Sequence, residues 1–185
     1  MRVPALLLIL LTAACAAPPG PVQDATGAQA GASPGESIRL SGAGEFAPGD
    51  TAAIVYDRKL APEGAQASAT VESSGGKTRT SLVVEGLLPE RRYGAHLHAK
   101  ACGKKPDEAG PHFQHQAGQI SPASEVWLDF TTDAAGAGRA SARNNWALSR
   151  DSLPGSLVIH AEPTVTEGPQ VGQAGARVAC LTLTP

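Results

Sequence analysis

The chain has 185 residues, a formal net charge of −2, only 4% aromatic residues, three cysteines and five histidines. A sequence pI near 6.2 gives no general basic field, which argues against nucleic acid as a partner. Without its first 35 residues the chain is still long enough for one domain that buries roughly 70% of its unfolded surface.

Residues 1–15 read as a signal peptide. Arg2 precedes the run "PALLLILLTAACAA", which is long enough for a signal-peptide core and too short for a membrane span. The segment "LTAAC" reads as a lipoprotein cleavage site, which would make Cys15 the lipidated first residue of an envelope-tethered protein. Thr12 stands where such sites usually carry leucine, so ordinary cleavage around Ala14, Cys15 and Ala16 is the alternative, leading to a periplasmic or secreted protein. Residues 16–35, rich in Ala, Gly and Pro, lack apolar periodicity and cannot offset the entropy of ordering. They are expected to be a flexible tether, followed by a single domain over 36–185.

Within that domain, eight stretches are rich in β-branched residues or alternate in polarity: 51–57, 65–73, 79–87, 93–101, 125–133, 138–145, 156–162 and 175–183. Turn signals lie between them, as in "SSGG" at 73–76 and "DAAGAG" at 133–138, and no stretch carries a helical stripe. The expected fold class is all-β, an eight-stranded Greek-key barrel or sandwich. Residues 102–124 form a long irregular loop, and loops of that length in compact domains are usually functional or disordered. Trp127 and Trp146 read as core or rim packing rather than interface anchors, and the pattern sets no oligomeric state.

In an exported chain Cys15 is lost to cleavage or lipidation, and the two remaining cysteines, Cys102 and Cys180, are expected to pair. The bridge would close about 78 residues, a constraint of roughly 4.5 kcal/mol in the chain-entropy model. It would also pin the 102–124 loop near Arg177. His96 and His98 in "HLH" lie two apart on a strand and so project from one face. Alone that is weak evidence, and His160 inside the apolar "LVIHAE" would by itself be read as a core residue. Together with His112 in "GPHF" they become a candidate metal set, and four neutral imidazoles suit copper, zinc or nickel, with a tetragonal all-nitrogen arrangement leaning towards Cu(II).

"GAHLHAKACG", "GPHF", "LVIHAE" and "GQAGARVACLTL", in that order, resemble the copper–zinc superoxide dismutase family over nearly the whole domain. The resemblance implies a flattened Greek-key barrel, with His96, His98, His112 and His160 as ligands of one copper per chain. It further implies a Cys102–Cys180 disulfide, Arg177 as the arginine that guides and orients superoxide, and a catalytic part for His112 during the redox cycle. The implied activity is dismutation of superoxide to dioxygen and hydrogen peroxide outside the cytoplasm. The alternative is a copper-binding module for buffering or delivery with little turnover.

Two departures from the family pattern matter. Zinc-containing members use the bridging histidine, here His112, with two further histidines and an aspartate. This chain offers only His115 between His112 and position 125, so the usual zinc site is expected to be absent and His115 is not counted as a ligand. Glu125 and Asp129 are the carboxylates that could instead receive the second nitrogen of His112, with Asp129 favoured because it lies inside "VWLDFTT". The segment between His160 and Arg177 is also short and holds no aspartate, so the copper is expected to be open to solvent. Anion steering would then fall to Arg177, with Lys100, Lys104 and Lys105 as further candidates or simply solvated loop charges.

Overall fold

The computed structural model describes residues 37–185, and the expectations for the signal peptide, Cys15 and the tether over 16–35 fall outside them. Nine strands occur among the described residues: β1 (Ile38–Glu45), β2 (Ala53–Val55), β3 (Gln66–Ser74), β4 (Lys77–Glu85), β5 (Arg92–His98), β6 (Phe130–Thr131), β7 (Gly138–Asn144), β8 (Ser156–His160) and β9 (Arg177–Thr182). They form two antiparallel sheets, β1-β3-β4-β7 and β2-β9-β8-β5-β6. β3 and β4 form a hairpin, whereas the connections β1–β2, β2–β3, β4–β5, β6–β7 and β7–β8 pass from one sheet to the other, as a Greek-key sandwich requires. The all-β expectation agrees with this architecture.

The core lies between the sheets, where the period-two pattern sends alternate side chains. Leu40, Ala69, Val71, Leu82 and Val84 come from one sheet; Tyr93, Ala95, Leu97, Leu157, Ile159, Ala179 and Leu181 come from the other. All are at most 5% exposed, and each large aliphatic side chain so placed stabilises the fold by roughly 2 kcal/mol. A second, smaller cluster of Ile54, Cys102, Ala109, Val158 and Cys180 sits on the outer face of the five-stranded sheet. It holds down the start of the long 99–129 connection.

Two differences from the sequence expectation have physical causes. β1 is a ninth strand, and its "SGAG" centre gives no β-propensity signal. Those glycines are there because β1 approaches the other sheet closely: a Cβ on Gly42 would lie 2.3 Å from the Thr182 carbonyl oxygen, and one on Gly44 2.9 Å from Ala53 Cβ. The stretch expected as a strand over 125–133 is regular only at β6. It touches β5 earlier through a single bridge at His96 and Trp127, so its side chains alternate although the ladder is broken.

Candidate metal centre

Strand β5 has two buried faces. Tyr93, Ala95 and Leu97 enter the core, while His96 and His98, two residues apart, occupy the opposite face and are fully buried there. β8 repeats the arrangement, with Leu157 and Ile159 inward and His160 opposite Gly94 of β5. The 161–176 connection covers this face. A Cβ on Gly94 would sit 2.7 Å from the Glu162 carbonyl oxygen and 2.8 Å from Ala174 Cβ, so the missing side chain is what lets the connection close. His112 arrives from the 99–129 connection, which docks on β5 through Phe113 N–H to the Leu97 carbonyl (2.8 Å) and Ala99 N–H to the Pro111 carbonyl (3.0 Å). One ring nitrogen from each of His96, His98, His112 and His160 then lies within 4.8 Å of all the others.

The hydrogen bonds outside the cluster fix which nitrogen each ring presents. His98 Nδ1 lies 2.9 Å from the Gly110 carbonyl and His160 Nδ1 lies 3.2 Å from the Gly175 carbonyl. A carbonyl only accepts, so both Nδ1 atoms carry the proton. Burial pushes the imidazoles of His96 and His98 far below the ordinary histidine range, and pushes His160 down to about 4. A neutral ring protonated at Nδ1 has a bare lone pair at Nε2. The Nε2 atoms of His98 and His160 face each other at 3.3 Å with no proton to share. Two opposed buried lone pairs are unfavourable unless a cation lies between them. The residues therefore fit a nitrogen-binding metal ion on the chemistry of their own donor atoms.

The carboxylates divide the outer positions between them. Glu125, only 2% exposed, accepts from His112 Nδ1 (3.0 Å) and Trp127 Nε1 (2.8 Å) on one oxygen and from Gln114 Nε2 (2.8 Å) on the other. Burial alone would raise this carboxyl, but the three hydrogen bonds outweigh it and hold it below the ordinary glutamate value. The preference for Asp129 as the partner of His112 is thus corrected to Glu125. Asp129 instead accepts from the backbone N–H of Thr164 (2.7 Å) and from its hydroxyl (2.5 Å). The same hydroxyl lies 2.7 Å from His96 Nε2. Thr164, a contact residue the sequence did not single out, sits in "EPTVTEG", a segment with no periodicity to mark it.

Arg177 reaches the site through an irregularity. Ile159 pairs with Ala179 and His160 pairs with Arg177, so Val178 is an extra residue at this point of β9. Such bulges re-aim side chains, and this one sets Arg177 beside the last histidine. Its guanidinium donates to the Pro106 carbonyl (2.5 Å) and the Gly110 carbonyl (2.6 Å). The Gly110 oxygen is therefore shared by Arg177 and His98. Cys102 and Cys180 are disulfide-bonded across 78 residues, tying the arginine's strand to the loop that supplies those carbonyls. Replacing both cysteines by serine is expected to cost about 2–5 kcal/mol in chemical denaturation. It should also loosen Arg177, seen as faster amide exchange at Gly110.

A cleft of about 570 Å³ opens over the cluster, lined by His112, Glu125, His160, Arg177, Ile120 and Val171 among others. Lys100, Lys104 and Lys105 are exposed and do not line it. His115 is exposed and stacks on Trp146 at 4.8 Å between ring centroids, with the ring planes 2° apart. Trp146 is core, and Trp127 braces Glu125.

Fold and site define a class: a Greek-key β-sandwich with a four-histidine cluster able to hold a metal ion beneath an arginine-rimmed cleft. The family model described as Copper/zinc superoxide dismutase (SODC) matches residues 65–182, and the chain belongs to that family. The matched span holds the four histidines, Arg177 and both disulfide cysteines, with β1 and β2 before it. No curated protein matches the chain. Membership supports an activity of the superoxide dismutase type and a metal cofactor of the copper or copper–zinc kind.

Proposed function

We propose that the protein is a copper-dependent superoxide dismutase working outside the cytoplasm, with one copper per chain and no zinc at the usual family position. The observation that carries this reading is the pair of opposed, unprotonated Nε2 atoms of His98 and His160 beside Arg177. Bound copper would supply the one-electron exchange that turns two superoxide ions and two protons into dioxygen and hydrogen peroxide. Arg177 attracts and orients the anion at the cleft. Glu125 takes the place of a second ion by accepting a hydrogen bond from His112 Nδ1–H, the nitrogen that zinc would need. With that ring held by a carboxylate, protons for the peroxide come from water in the open cleft.

Export through the leader, cleavage before a lipidated Cys15 and a tether over 16–35 complete the proposal. The Cys102–Cys180 disulfide supports it, because such bonds persist in oxidising compartments. The purified mature protein should hold about one copper and little zinc per chain, and mass spectrometry of its first peptide should show lipid on Cys15. Dismutation should rise in proportion to copper loading and fall at least tenfold in Arg177→Ala, with weaker salt dependence in the mutant. Tight copper binding with negligible turnover would identify a buffering or delivery module instead.

A further inference from the structure

We infer that Thr164 is a positioning residue that selects the metal-binding nitrogen of His96, with Asp129 setting the direction of its hydroxyl. This rests on the four histidines holding copper. Three of those rings present Nε2 to the centre, because their Nδ1 atoms are bonded outward to Gly110, Gly175 and Glu125. His96 is turned the other way. Its Nδ1 points inward, 2.9 Å from His112 Nε2, and its Nε2 points outward to Thr164 Oγ1. It can bind an ion only when the proton sits on Nε2.

A hydroxyl can donate or accept, so Thr164 alone would not decide the tautomer. Asp129 decides it. One carboxylate oxygen accepts the Thr164 backbone N–H and the other faces Thr164 Oγ1. A carboxylate has no proton to give, so the threonine hydroxyl donates to it and presents a lone pair to His96. His96 must then donate from Nε2, which leaves Nδ1 bare towards the centre. The order of donation is His96 Nε2–H to Thr164 Oγ1, then Thr164 O–H to Asp129. Thr164 is 8% exposed, which keeps solvent from supplying an alternative partner.

The chain of donors makes an unusual ordering of variants testable. In Asp129→Asn the amide oxygen must stay on the Thr164 N–H, which turns the NH₂ towards Oγ1. The threonine hydroxyl then points its proton at His96 Nε2 and drives the ring to the Nδ1–H tautomer, which cannot ligate. Thr164→Val only removes the preference, and Thr164→Ser keeps it. Nitrogen-15 NMR of the His96 ring in the metal-free full chain should show the Nε2–H tautomer in wild type and Thr164→Ser, and Nδ1–H in Asp129→Asn. Copper affinity, read by chelator competition, should fall at least tenfold in Asp129→Asn, less in Thr164→Val, and not in Thr164→Ser. The Cu(II) hyperfine splitting should shift in the two impaired variants. Wild-type tautomer, affinity and spectrum in both Asp129→Asn and Thr164→Val would overturn the assignment. The ring tautomer is read without metal, so a failure of wild type to bind copper would sink the proposed function and leave this measurement standing on its own.

Discussion

Acidifying the metal-free domain from neutral pH towards about pH 4 is expected to unfold it, and copper should prevent this. His96, His98 and His160 all have their folded-state pKa lowered, chiefly by burial. In the unfolded chain each returns to the ordinary value of 6.5. Below that value the unfolded chain takes up protons that the folded domain refuses, so stability falls as pH falls. Each ring contributes a slope of about 1.4 kcal/mol per pH unit, hence about 4 kcal/mol per unit while all three remain neutral. His160 alone, from 6.5 to about 4, accounts for roughly 3 kcal/mol. Against a total of about 5–15 kcal/mol for a domain, that is enough for denaturation. The Glu125 carboxyl, also lowered, adds a loss of the same sign at still lower pH. Metal-bound rings cannot take up protons until the ion leaves, so the loaded protein should hold to lower pH. Urea midpoints by circular dichroism across this range, with chelator and with copper, would test it. A metal-free midpoint that stays flat down to about pH 4.5 would refute the burial of three neutral rings.

That acid sensitivity arises from placing histidines where a strand has core on one side and covering loops on the other. Half of this was readable in advance. The spacing of His96 and His98 announces a shared face, the gathering of histidines into three segments adds His112 and His160 to the metal set, and the resemblance implies that the metal is copper. Period two also puts Glu125, Trp127 and Asp129 on one face and Val126, Leu128 and Phe130 on the other, which the packing reproduces. What the spacing does not contain is the register of that segment against β5. The single His96–Trp127 bridge sets it, sending Glu125 to His112 and Asp129 to Thr164, the reverse of what the apolar surroundings of Asp129 suggest. The nitrogens that His98 and His160 offer are likewise decided by backbone carbonyls at Gly110 and Gly175, which have no side-chain signature. β1 escaped for a related reason: its glycines answer to a neighbour in the other sheet, so a local reading sees flexibility where the structure has close contact.

Glu125 is the residue whose loss should do most damage without removing a ligand. Truncating it to alanine would strand three partly buried donors at once, those of His112, Gln114 and Trp127, and is expected to cost about 3 kcal/mol. Copper affinity should fall by about 10–100-fold as the His112 ring loses its fixed orientation. Glu125→Gln separates charge from shape. Its single oxygen would go to His112 and Trp127, which share one carboxylate oxygen in the wild type. Its NH₂ would then meet the NH₂ of Gln114. Gln114 cannot simply turn over, because its own oxygen accepts the Gly118 N–H at 2.8 Å. The glutamine variant should therefore keep an oriented His112 and most of its copper affinity while loosening the 114–118 turn. Alanine should lose both. Chelator competition for copper and amide exchange at Gly118, measured on the two variants, resolve these effects. Equal copper affinity in wild type and Glu125→Ala would show that the carboxylate serves packing alone and that something else holds His112.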